Sequence, residues 1–77
     1  MELPLSALSL GESADIRRVG GREDMVRRLT QLGFLPGTRM VCELVSPAGD
    51  PVAYRVRGAL IALRRQDADG VLVERML

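Results

Sequence analysis

Apolar positions recur most regularly between Arg22 and Leu32, where Met25, Val26, Leu29 and Leu32 follow one another at helical steps. That spacing lays one apolar stripe along an α-helix, and Arg22, Arg27, Arg28 and Gln31 occupy its other faces. Glu23 and Asp24 in the first turn and Arg27 and Arg28 later complement the helix dipole. Gly33 stands where a C-terminal cap glycine belongs, since glycine enters the left-handed region without a side-chain clash. Pro36-Gly37 then has the chemistry of a type II turn: a fixed φ followed by a permissive residue.

Elsewhere the pattern changes to a period of two. Leu5 and Leu8 allow one helical turn in a short lead-in that ends at Gly11. Ala14 to Val19 reads as a strand with Ile16 inward and Arg17 outward. Thr38 to Val45 reads as another, with Met40, Cys42 and Leu44 on one face and Arg39, Val41 and Glu43 on the other. Ser46 to Pro51 forms a connection too long for a two-residue hairpin. Val52, Tyr54 and Val56 alternate inward against Arg55 and Arg57, and Gly58 then separates this strand from Ala59 to Leu63. Arg65 to Asp69 predicts one polar helical turn, and Val71 to Glu74 the last strand. The result is a mainly β chain of about five short strands with one inserted α-helix. A small barrel suits it, because closure hides sheet edges. No linker or internal repeat divides the chain, so residues 1–77 are read as a single domain.

Composition narrows the functional classes. Eleven arginines nearly balance ten acidic residues, and there is no lysine. A net charge of +1 counts against a dedicated nucleic-acid binder, although Arg39, Arg55, Arg57, Arg64 and Arg65 could gather on strand faces. Single-strand binders add aromatic platforms, and here Tyr54 points inward and Phe34 sits in a turn. A solvated face with Glu43 paired across its hairpin accounts for these arginines. No apolar run reaches the roughly 20 residues of a membrane span, and Met1 to Pro4 lacks signal-peptide character, which places the expected site of action in the cytoplasm.

Histidine is absent, so the commonest general base and metal ligand are missing, and no nucleophile finds a base partner. The expectation is no catalytic residue, no metal site and no cofactor. Cys42 cannot form an internal disulfide and reads as a small buried hydrophobe; Met25 and Met40 read as core. Asp67 and Asp69 read as turn and capping residues. Glu23 and Asp24 diverge around their helix, so they do not form a carboxylate pair. The remaining signal is apolar exposure. Phe34-Leu35 at the helix-to-strand turn either packs or forms a docking patch, since two such side chains do not both fit a small core. Leu60 and Leu72 fall outward by alternation, and Met76-Leu77 forms an apolar tail.

The ordered series Leu5, Leu8, Gly11, Arg28-Leu29, Leu32-Gly33, Pro36-Gly37, Pro47, Gly49-Asp50-Pro51, Gly58, Ile61-Ala62-Leu63-Arg64, Ala68, Val71 and Val73 resembles the FeoA family over almost the whole chain. The resemblance implies an SH3-like β-barrel that is cytoplasmic and non-catalytic, in a family tied to ferrous, transition-metal iron transport. It implies action with FeoB, the membrane ferrous iron transporter that carries a cytosolic GTPase domain. On this reading the domain docks on that transporter and regulates it, reaching the membrane only through its partner, and is a monomer or weak homodimer. The expected contact surface comprises Arg27, Arg28, Gln31, Phe34, Leu35 and Pro36. Two alternatives stay open. One is an SH3-like domain related to the C-terminal domain of metal-dependent repressors; the other is a small Fe(II) carrier.

Overall fold

A computed structural model describes residues 1–76. One antiparallel sheet of six strands carries the fold, in the spatial order β1-β6-β2-β3-β4-β5. The strands are β1 (Glu2–Pro4), β2 (Ser13–Val19), β3 (Arg39–Val45), β4 (Val52–Val56), β5 (Ala59–Leu63) and β6 (Val71–Arg75). A 3₁₀ turn, Leu5–Ala7, follows β1; helix α1, Glu23–Gln31, links β2 to β3; a single turn, α2, Arg65–Ala68, links β5 to β6.

The elements lie close to where the periodicity predicts them. Two features differ. β1 was not anticipated, because a three-residue strand containing Pro4 shows no alternation; its place is set by pairing with β6, Leu3 opposite Val73. The sheet also does not close by hydrogen bonding, since β1 and β5 remain its two ends. The sheet bends around its core instead of hiding both edges.

That core holds Leu5, Leu8, Ile16, Leu29, Phe34, Met40, Cys42, Tyr54, Val56, Leu63, Val71 and Val73, and no charged residue is buried among the described residues. Two bulges adjust the alternation. In β3 the register steps between Cys42 and Leu44, so Cys42 faces Tyr54 but Leu44 faces Ala53. The extra residue turns Leu44 out to 54% exposure, which corrects its expected place beside Met40 and Cys42. A second bulge around Arg17 in β2 brings Arg18 opposite Leu72.

Ion pairs join neighbouring strands on their exposed side, Arg39 to Asp15 (3.2 Å), Arg17 to Glu74 (3.1 Å) and Arg55 to Glu43 (2.6 Å), and Arg75 reaches Glu12 just before β2 (2.9 Å). Arg55 donates from both Nε and Nη2, a bidentate grip that holds the Glu43 carboxyl below its ordinary pKa. The arginine-rich surface is therefore largely charge-paired.

Arg65, half buried, ties three segments together. Its Nε donates to the carbonyl of Gly49 (2.6 Å), its Nη1 to that of Ser6 (2.9 Å), and its amide to Asp50 Oδ1 (3.0 Å). The β3–β4 connection, the 3₁₀ turn and α2 meet at this one guanidinium. Asp69 accepts from the Ser6 hydroxyl, so its carboxylate ties α2 to the 3₁₀ turn, a long-range contact in place of the local capping expected of it.

Candidate partner-docking surface

α1 ends in a complete Schellman motif. The Phe34 amide donates to Leu29 O (2.9 Å) and the Gly33 amide to Thr30 O (3.1 Å), with Gly33 at φ 103°. This cap decides the fate of the Phe34-Leu35 pair. The residue after the cap glycine points back toward the helix's last buried turn, so Phe34 joins Leu29 in the core at 0% exposure. The expectation that Phe34 belongs to the contact surface is corrected on that ground. Leu35 takes the opposite side and stands 39% exposed.

The chain then turns sharply. Thr38 donates to Leu35 O (3.0 Å) across Pro36-Gly37, and Gly37 has φ 89°, the type II geometry expected from the sequence. Gly37 N to Ile16 O (2.6 Å) and Ile16 N to Thr38 O (2.9 Å) clamp this turn to β2. Leu35 and Pro36 are thus exposed on a backbone fixed at both ends.

Arg27, Arg28 and Gln31 are all exposed on α1, where Gln31 neighbours Arg27 four residues back and Arg28 three residues back. Arg27 lies 3.7 Å from Glu23, a weak helical pair between well-solvated groups. Leu32, expected to complete the buried stripe, is 39% exposed at the C-cap. It belongs to this surface, and sequence reasoning missed it because the last residue of a helical stripe has no following turn to pack beneath. Arg57 backs the cap without joining this surface: its aliphatic stem covers Gly33, with Cδ 3.0 Å from the position a Cβ would take. Solvated arginines, two half-exposed leucines and a rigid Leu35-Pro36 corner are what the arrangement offers. Such a surface can bind a partner by apolar burial with charge steering.

No group of three or more His, Cys, Asp or Glu side chains is gathered among the described residues. Cys42 is a buried free thiol whose pKa is pushed up by desolvation, the condition of an unreactive core cysteine. No described helix is long and apolar enough to cross a membrane.

The FeoA domain model matches residues 3–75. The chain belongs to the FeoA family. A relative from Porphyromonas gingivalis, an Fe(2+) transport protein A/Fe(2+) transporter FeoB fusion protein, is 39% identical over 70 residues. That match covers 91% of this chain and 8% of the fusion, so the chain spans under a tenth of that relative's length. Among solved structures, the FeoA protein of Chlorobium tepidum superposes with a TM-score of 0.93 at 31% identity, over 97% of this chain and 71% of its own. The zinc-complexed FeoA of Stenotrophomonas maltophilia, described as a procaryotic SH3 domain protein, gives 0.84 at 32% identity, over 94% and 89%. These likenesses establish the SH3-like FeoA fold and link the family to ferrous iron transport. A manganese-dependent transcriptional repressor shares the fold alone, with a TM-score of 0.86 at 16% identity, over 97% of this chain and 42% of its own.

Proposed function

We propose that this FeoA-family domain is a non-catalytic cytosolic accessory of ferrous iron uptake that docks on a FeoB-type transporter, through its GTPase domain, and regulates it. One observation carries the reading: in a relative, a FeoA portion and a FeoB transporter form a single chain. Covalent linkage holds two modules at high effective concentration, an arrangement suited to partners that also meet as separate chains.

The proposed contact comprises Arg27, Arg28, Gln31, Leu32, Leu35 and Pro36, all exposed and all on or beside the rigid C-terminal cap of α1. Phe34 supports this surface from beneath. Regulation requires that the domain bind some transporter states more tightly than others, because equal affinity for every state shifts nothing.

Ferrous iron uptake by cells carrying the cognate transporter, with the chromosomal copy of this chain removed, tests the function. The wild-type chain should restore uptake, and Leu35→Asp, altered at an exposed position, should fold yet fail to restore it. Uptake that is indifferent to removal of the chain overturns the accessory role. Full restoration by Leu35→Asp overturns the proposed surface.

A further inference from the structure

The two ends of the sheet are unlike. β1 is short, carries Glu2 and contains Pro4, all devices that discourage another strand from pairing. β5 reads Ala59-Leu-Ile-Ala-Leu63, with no charge, proline or bulge, and pairs only with β4. Arg57 and Gly58 form its two-residue turn, with φ 51° and 82°, which makes Val56 and Ala59 a hydrogen-bonded pair. Alternation then assigns the inward bonds to Ala59, Ile61 and Leu63 and aims the N–H and C=O of Leu60 and Ala62 away from β4. Neither residue takes part in any other backbone bond among the described residues.

The geometry points to β5 as a strand-addition site for an extended protein segment with an apolar centre and acidic ends. The apolar centre follows from the outer face, where Ala62, Ala53 and Leu44 lie side by side through the pairs Ala53–Ala62 and Leu44–Ala53, while Leu60 stands next along β5 opposite Arg55, whose charge is already matched by Glu43. Leu60 is 46% exposed there. The acidic ends follow from Arg57 and Arg64, which bracket the strand. Both are exposed, and neither has a carboxylate within ion-pair distance among the described residues, whereas most other arginines do.

The same charges discriminate against a second copy of this chain. The antiparallel register that pairs Leu60 of one copy with Ala62 of the other sets Arg64 opposite Gly58, beside the other copy's Arg57. Like charges would meet at both ends of such a dimer, and carboxylates there would be attracted instead.

The test uses the whole chain, nitrogen-labelled, and an end-blocked peptide, Asp-Glu-Val-Thr-Val-Thr-Val-Glu-Asp. Amide shifts and slowed solvent exchange should centre on Leu60 and Ala62, and affinity should fall as salt is raised. Arg57→Asn combined with Arg64→Gln should weaken binding about threefold to tenfold, the worth of two exposed ion pairs, without changing the fold. Ala62→Pro, which removes an outward N–H not used by β4, should abolish it. Equal binding of a peptide with lysines at both ends, shifts centred elsewhere, or no shift at saturating peptide would overturn the assignment. Protection of Leu60 and Ala62 that grows with protein concentration alone would also overturn it, in favour of self-pairing.

Discussion

Replacing Phe34 with alanine separates support of the Leu35-Pro36 turn from the proposed contact with a partner. The side chain is fully buried against Leu29 at the Schellman cap, so truncation removes its transfer energy and leaves a cavity. Substitutions of that kind cost about 3–5 kcal/mol. A domain of 77 residues has about 4–12 kcal/mol in total, so the change removes a large share of it. For so small a domain the melting temperature should fall by more than about 12 °C. Leu35→Ala, one position on, should cost about 1 kcal/mol or less, because much of that side chain already meets water. Urea unfolding followed by far-ultraviolet circular dichroism, at unchanged m-value, reads both variants. A loss below about 1 kcal/mol for Phe34→Ala would refute the packing argument. Equal losses for the two variants would refute the division of roles between them.

Three further outcomes follow from the fold. Gly70→Ala should destabilise by about 2–3 kcal/mol in the same assay, because its Cβ would lie 2.5 Å from the carbonyl oxygen of Gly20, whose backbone must shift. Arg65→Met should cost about 2–3 kcal/mol by losing the charged bonds to Gly49 and Ser6, and Arg65→Lys should recover only part, since one ammonium cannot reproduce the planar fork. Burial pushes Tyr54 from its ordinary value near 10 up to about 12, so the folded chain keeps a proton that the unfolded chain loses. Stability should be unaffected by this group below that window and fall through it as pH rises, with tyrosinate absorbance appearing later in the native protein than in urea. The chain has a single tyrosine, which makes that signal unambiguous.

Most of the architecture was legible because the local signals agree. The Met25, Val26, Leu29 spacing marked α1, the Gly33 and Pro36-Gly37 pair marked its end, and the Val52, Tyr54, Val56 alternation marked β4. What escaped were features set by pairing. β1 has too few residues to show a period, and the β3 bulge reverses Leu44 without leaving a mark in the hydrophobic pattern. The Phe34-Leu35 question had an answer within reach: with Gly33 recognised as the cap, the next residue is the one a Schellman motif turns inward. Leu60 lay outward as its alternation required, and Met76 is exposed, while Leu77 lies outside the described residues. The openness of β5 needed the strand order, which periodicity does not supply. The residues of the proposed docking surface were legible only as exposed side chains near a turn, since a partner surface has no spacing rule of its own.

The central claim is that this domain docks on the transporter through the cap of α1. The most direct test titrates the nitrogen-labelled chain with the cytosolic GTPase domain of a FeoB-type transporter from the same organism, once with GDP and once with a non-hydrolysable GTP analogue. The account predicts amide shifts concentrated between Arg27 and Gly37, with different affinities in the two nucleotide states. No shift in either state at saturating GTPase domain, or shifts lying wholly away from this turn, would contradict it.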